Sequence, residues 1–355
     1  MLLLNPGPVT LSERVRKSLL QTDLCHREPE FFDLQDEARK RLVAAYELDP
    51  AKWSTVLMTG SGMAAVESMI AGLVPEGKRL LVVENGVYGD RIAQIAKQYG
   101  IEHEVARYEW MQAPNIDAII AKLDAGRFTN VAIIHHETTT GRLNALDTLS
   151  RACADRGIGL LVDAVSSFGA EAIDFDGGGI TAIAATANKC LHGVPGAAFV
   201  IARRDALAKA ASRTYYLGIA RLAELQDEHN TPFTPSVHAY YALVEALREF
   251  EDEGGWHARH QRYAALAEQV RAGLAKLGID SALPPEESSV VLRAYRLPAG
   301  VVTYETLHDT LKAKGFVIYA GRGGLSKELF RISTMGAVDA KDMDLLVSSV
   351  AELLR

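Results

Sequence analysis

Several things are scarce in this chain of 355 residues, and each scarcity narrows what it can do. Cysteine occurs three times, at Cys25, Cys153 and Cys190, without the spacing of metal ligands. That argues against a disulfide framework and for a reducing compartment. Positive charge is in the minority, with 38 Lys and Arg against 45 Asp and Glu and a formal net charge of -7. Nucleic acid is not an expected partner, because no broad basic field is available. An anionic substrate must instead be held by a few placed cations. No apolar run approaches the roughly 20 residues of a membrane span. The opening Met1-Leu2-Leu3-Leu4 is halted at Asn5-Pro6-Gly7-Pro8 and lacks the basic stretch of a signal peptide. A soluble cytoplasmic protein is expected, with no repeat and no low-complexity segment.

Apolar residues are ample, at 48%, for one large core or two. Strand-like runs alternate with helical patterns between about 50 and 205. Strands are read at 55–58, 79–83, 131–135, 159–163 and 197–201, and helices at 63–73, through residue 98, and at 146–156. Continuous apolar strands separated by helices predict an α/β fold with a mainly parallel sheet covered on both faces. Chemistry in such sheets gathers at the carboxyl ends of the strands. Helices follow at 235–247 and 256–277, with Gly254-Gly255 between them. Strands at 289–294 and 316–319 and helices at 303–314 and 340–354 predict a smaller α/β C-terminal domain. The expected division is a large domain over 16–250 and a small one over 251–355, against which residues 1–15 pack.

Two residues carry most of the chemistry. Asp163 ends the apolar run Leu160-Leu161-Val162, and Lys189 sits in the small, uncharged stretch Ala187-Asn188-Lys189-Cys190. A desolvated lysine has a lowered pKa and a free amine for imine chemistry. An acid at a strand end can keep a pyridine nitrogen protonated. Together they suit pyridoxal phosphate, whose aldehyde condenses with the lysine.

Other positions are read beside this pair. Gly60-Ser61-Gly62-Met63 lies between a strand and a helix, where exposed amides favour a phosphate; taken alone it is more readily a plain turn, and Lys189 reverses the balance. Tyr88 follows a strand and can stack on a flat ring, or simply pack. The run His135-His136-Glu137-Thr138-Thr139-Thr140 offers hydroxyls for a ring oxygen. A metal site there is disfavoured, because adjacent strand side chains face opposite ways. Thr234, bracketed by Pro232 and Pro235, suits either a phosphate contact or a helix N-cap. Arg331 lies in an apolar strand and calls for an anionic partner: a substrate carboxylate or phosphonate, or an internal carboxylate.

These residues carry a resemblance. The chain resembles the class V aminotransferases of the fold-type I pyridoxal phosphate superfamily, and within them the 2-aminoethylphosphonate:pyruvate aminotransferases. The matching stretches include Asn5-Pro6-Gly7-Pro8, Asn85-Gly86-Val87-Tyr88-Gly89, His136-Glu137-Thr138-Thr139-Thr140-Gly141, Asp163-Ala164-Val165-Ser166-Ser167-Phe168-Gly169, Asn188-Lys189-Cys190 and Phe330-Arg331-Ile332. The resemblance implies a seven-stranded, mainly parallel sheet and a cofactor linked to Lys189 and paired with Asp163. It further implies phosphate contacts from Ser61, Gly62 and Met63, a ring contact from Tyr88, and a ring-hydroxyl contact from Thr139. Thr234 would reach the phosphate bound to the neighbouring subunit, which implies a homodimer with sites at the subunit interface. Arg331 would hold the substrate anion, with Arg27 and Arg322 as further cations. The substrates implied are a small amine and a keto acid.

The chain departs from many relatives at Tyr319-Ala320-Gly321-Arg322, at Ser333-Thr334-Met335-Gly336 and over Leu24 to Phe31. These departures leave the substrate open. An ammonia-lyase acting on 1-hydroxy-2-aminoethylphosphonate and an alanine or serine–glyoxylate aminotransferase stand as alternatives. Cysteine desulfuration is disfavoured, since no cysteine follows Cys190. The intact Lys189–Asp163 pair argues against a catalytically silent binding protein.

Overall fold

A computed structural model describes residues 1–211 and 213–354. Its centre is a seven-stranded sheet of β1 (Trp53–Gly60), β2 (Arg79–Glu84), β3 (Glu102–Arg107), β4 (Phe128–Ile134), β5 (Gly159–Asp163), β6 (Ile180–Thr186) and β7 (Gly196–Arg203). The order is β1-β7-β6-β5-β4-β2-β3. Only β7 runs antiparallel to its neighbours. Alternate residues feed two apolar clusters: Leu81, Val83 and Val162 on one face, Leu80, Val82 and Leu161 on the other. Both faces are therefore covered, which is why these strands read as unbroken apolar runs.

Two strands of this sheet escaped the sequence reading, for different reasons. β3 is an edge strand whose residues Glu102, His103 and Glu104 are polar and exposed or half-buried, so no apolar signal marks it. β6 is central and buried, but Ile180-Thr181-Ala182-Ile183-Ala184-Ala185 is rich in alanine, a poor strand former. Helix α1 (Pro29–Ala44) was not anticipated either. Helices α2 (Gly62–Leu73) and α3 (Val87–Gln98) follow β1 and β2.

Beyond α4 (Val237–Asp252) and α5 (Gly255–Ala275), a three-stranded antiparallel sheet forms from β8 (Leu292–Arg296), β9 (Tyr319–Ala320) and β10 (Leu329–Ser333), in the order β8-β10-β9. Leu274, Phe330 and Ile332 share a separate apolar cluster with Leu346 and Val350 of α6 (Ala340–Leu353). The strand expected over 289–294 lies at Leu292–Arg296 instead. The one expected over 316–319 is split. Phe316–Val317 pairs with Leu2–Leu3, while Tyr319–Ala320 pairs with Arg331 and Phe330. Ile318, fully buried between them, is the point where the chain passes from one pairing to the other. The first residues are fastened at both ends, Leu2–Leu3 to Phe316–Val317 and Leu4 to Ser333 of β10, then Thr10 to Ala337. Among the described residues no helix is long and apolar enough to cross a membrane.

Candidate active site

The carboxyl ends of β1, β2, β4, β5 and β6 lie along one edge of the large sheet, and the loops after them meet there. Asp163 is the last residue of β5, opposite Ile134 of β4 and Ala184 of β6. It is buried, and its carboxylate accepts a hydrogen bond from the Val165 amide at 2.9 Å. Burial, helped by the nearby Glu137 charge, pushes its carboxyl up to about 7. A carboxyl so placed ionises readily only beside a cation.

Lys189 comes just after β6. Its amine donates to the Pro6 carbonyl. Burial lowers the amine to about 8, and the positive charges of Arg322 and Arg331 act in the same direction. Gly7 has φ +100°, and a Cβ there would stand 2.7 Å from Cδ and 2.9 Å from Nζ of Lys189. The lysine side chain therefore lies against bare backbone. Cys190 beside it is fully buried, and burial lifts its thiol to about 12. It packs, and it is no nucleophile.

Ser61 is the N-cap of α2, exposed, and its hydroxyl caps none of the helix amides. Gly62 is buried, and a Cβ on it would come within 2.7 Å of Val165 Cγ1. The glycine thus brings the helix start down onto Val165, two residues beyond Asp163. Met63, half-buried, packs on the apolar cluster under α2. The free Ser61 hydroxyl and the open first amides of the helix form a cradle that suits a phosphate. The lysine, the acid and this cradle fit the cofactor that the resemblance implies.

Tyr88 lies in the first turn of α3, with the guanidinium carbons of Arg91 and Arg322 at 5.1 and 5.6 Å from its ring centre. Thr139 is fully buried, and its Oγ1 accepts from the Val87 amide at 3.3 Å. Glu137, also fully buried, accepts from the Tyr88 amide at 3.1 Å and the Thr139 amide at 3.0 Å. His135 Nδ1 meets Ser167 Oγ, and His136 Nδ1 meets the Ser166 carbonyl. The three adjacent polar residues thus turn to three different sets of partners, and no group of three metal-ligating side chains occurs among the described residues.

Arg331 sits on β10 and is 2% exposed. Its Nε donates to the Ala320 carbonyl and its Nη1 to the Thr138 carbonyl, both at 2.8 Å. Among the described residues no carboxylate forms an ion pair with it. The ion-paired internal partner weighed from the sequence is therefore absent there; the guanidinium donates to two carbonyls, with the Glu137 charge nearby. Burial, with Arg322 as neighbour, lowers this guanidinium to about 10.

Two candidates meet at the loop before α4, whose Ser236 amide donates to Thr59 Oγ1 near the end of β1. Arg27 is exposed and donates to the carbonyls of Thr231 and Pro232. Thr234, on that same loop, is exposed, with His26 Nε2 3.4 Å from its hydroxyl. It is no N-cap: Ser236 precedes α4. Sequence reasoning missed the parts played by Pro6, Gly7, Val165 and Glu137. The signal for Glu137 was topological. β2 and β4 are parallel neighbours, so the loops opening at Asn85 and His135 lie side by side.

The comparisons with known proteins agree along the whole chain. The family described as Aminotransferase class-V matches residues 20–338. A 2-aminoethylphosphonate--pyruvate transaminase of Pseudomonas putida is 37% identical over 100% of this chain and 97% of its own length. The aspartate aminotransferase of subgroup IV from Thermus thermophilus superposes with a TM-score of 0.91 at 28% identity, covering 100% of this chain and 99% of that one. An alanine--glyoxylate aminotransferase from Nostoc gives 0.93 at 27% identity, over 100% and 95%. The fold is the fold-type I architecture of these enzymes, and the chain belongs to the class-V aminotransferases.

Proposed function

We propose that this chain is a pyridoxal phosphate-dependent transaminase that moves the amino group of 2-aminoethylphosphonate to pyruvate, giving phosphonoacetaldehyde and alanine. The observation that carries the substrate class is Arg331: a buried guanidinium without an ion-paired carboxylate, beside the Lys189–Asp163 pair. An anionic group is what such a charge lacks. The identity of the anion follows the relatives that span the full chain, several of which bear that transaminase name.

When bound, pyridoxal phosphate supplies an aldehyde that joins to amines and a ring that draws electrons from the adjacent carbon. The protein's own residues do the rest. Lys189 would hold the cofactor through its amine and, once released by the incoming amine, would serve as the base that moves the proton at the substrate carbon. Asp163, ionised beside a cationic ring nitrogen, keeps that nitrogen protonated. The starting amides of α2, with Ser61, Gly62 and Met63, grip the phosphate. Tyr88 stacks on the ring and Thr139 reaches its hydroxyl. Arg331 holds the pyruvate carboxylate and the phosphonate in turn, and Arg322 adds a second cation for the doubly charged phosphonate.

Arg27 and Thr234 share one exposed loop surface. We read this surface as reaching the phosphate end of a partner subunit's site, which makes the enzyme a homodimer with composite sites. Residues 16–250 would form the large domain and 251–355 the small one, with residues 1–15 packing on the small domain. The location is read as cytoplasmic.

The test is a spectroscopic screen of amines added to the yellow enzyme without keto acid. 2-Aminoethylphosphonate should bleach the visible band and release no ammonia, and pyruvate should restore the band with formation of alanine. Ammonia release from the hydroxylated analogue would move the assignment to a lyase. Lys189→Ala should lose both the visible band and all turnover, and retention of both would end this reading.

A further inference from the structure

Glu137 is a buried carboxylate that the chemistry above does not use, and its surroundings are unusual. It stands in the short strand His136–Glu137 that follows β4 and pairs with Arg142–Leu143, and it has no exposed surface. One oxygen accepts from the Tyr88 amide at 3.1 Å, and the other from the Thr139 amide at 3.0 Å. Those amides belong to the two residues read as the ring-stacking and ring-hydroxyl contacts. Beside them, the Val87 amide donates to Thr139 Oγ1 at 3.3 Å, and Arg331 donates to the Thr138 carbonyl at 2.8 Å. The carboxylate lies in a space that only a glycine leaves open. A Cβ on Gly86 would come within 2.2 Å of Glu137 Cδ and 2.5 Å of Oε2. Gly86 is extended, so contact with this side chain, and not backbone strain, is what demands a glycine there.

We infer that Glu137 is a positioning residue, whose carboxylate clamps the Tyr88 and Thr139 amides together so that both ring contacts stand in place before the cofactor arrives. The inference rests on the cofactor reading given above. A carboxylate suits this work because it offers an acceptor to each amide. Glutamine offers one carbonyl and one NH2 group, so one buried amide would lose its acceptor. Burial raises the Glu137 carboxyl, and the backbone amides that donate to it counter that rise. The bond from Arg331 to Thr138, the residue between Glu137 and Thr139, links the anion-binding side chain to the same clamp.

The experiment uses apoenzyme and holoenzyme of the full chain. In wild-type apoenzyme, hydrogen exchange at the amides of Tyr88 and Thr139 should already be slow, and adding pyridoxal phosphate should change it little. In Glu137→Gln the dissociation constant for pyridoxal phosphate should rise about tenfold or more. The induced circular dichroism of the visible band, which reports how firmly the ring is fixed, should shrink. Gly86→Ala, which pushes the carboxylate aside, should give the same pair of changes. Fast exchange in the wild-type apoenzyme that slows only on cofactor binding overturns the inference, even if neither variant folds. So does an E137Q enzyme with wild-type affinity and dichroism. Failure of the wild-type chain to bind pyridoxal phosphate would instead strike the cofactor reading itself.

Discussion

The amine of Lys189 is bonded to the carbonyl of Pro6, 183 positions earlier in the chain. The contact brings the N-terminal segment onto the centre of the chemistry. That segment is tied to Phe316–Val317 through Leu2–Leu3, to Ser333 through Leu4 and to Ala337 through Thr10, so Pro6 and Gly7 cross the lysine as a strap held at both ends. Pro6 gives the lysine a neutral acceptor, while burial, with Arg322 and Arg331 nearby, makes its proton easily lost.

Gly7 sets how close that strap can come. It needs φ +100°, and an added Cβ would meet Cδ, Cε and Nζ of Lys189 at 2.7–3.0 Å. Gly7→Ala carries a backbone penalty of about 1–2 kcal/mol and must also displace the lysine or the strap. The expected outcome is a folded protein, with the melting midpoint lowered by a few degrees, and with kcat down about tenfold or more. Steady-state kinetics beside a thermal melt checks this, and an unchanged kcat would refute the packing argument.

The second prediction concerns pH. In the folded apoenzyme the Lys189 amine titrates near 8, below the ordinary lysine value of 10.5. Free amine, the reacting form, appears as pH rises through that value. Recombination of apoenzyme with pyridoxal phosphate should therefore accelerate through about pH 8 and then level off. Between 8 and 10.5 the unfolded chain binds more protons at this group, so this lysine's contribution makes apoenzyme stability climb with pH across that window. Arg322 is one of the cations that lower this amine. Arg322→Ala should move the kinetic midpoint upward, and a downward shift would contradict the assignment.

Much of this was legible from the sequence, because the chemistry demands residue types at strand ends. Asp163 and Lys189 were identifiable by an acid closing an apolar run and a lysine in an uncharged loop. The large sheet announced itself where both strand faces were buried and the residues were leucine and valine, as in β2 and β5. Polar edge strand β3 and alanine-rich β6 gave no such signal. Contacts that join distant segments left no local mark. Pro6 on Lys189 and Glu137 under Tyr88 depend on which strands and straps become neighbours, and spacing along the chain does not encode that. Arg331 was visible as a charge in an apolar strand, whereas its carbonyl partners, Thr138 and Ala320, were not.

Those partners yield the third prediction. The fork of Arg331 uses Nε and Nη1 on two carbonyls. Arg331→Lys retains a charge and loses the fork. A hydrogen bond to a charged group is worth about 1.5–3 kcal/mol, so KM for the anionic substrates should rise about tenfold to a hundredfold. The visible band should persist, because Lys189 and Asp163 are untouched. Wild-type KM values in this variant would remove Arg331 from the anion site.

The last prediction separates a composite site from a self-contained one. Thr234 is exposed on a surface that Arg27 braces through the Thr231 and Pro232 carbonyls. If Thr234 serves the neighbouring subunit, Thr234→Val should weaken pyridoxal phosphate binding about fivefold to tenfold, the cost of one lost phosphate hydrogen bond. Mixing this variant with Lys189→Ala gives the decisive case. Each hybrid dimer then has one site with both lesions and one with none, so activity at limiting cofactor should recover toward half the wild-type value per dimer. If Thr234 acted within its own subunit, the hybrid would pair a dead site with a weakened one and nothing would be recovered. Purifying the hybrid by two different affinity tags and titrating it with pyridoxal phosphate tells these arrangements apart.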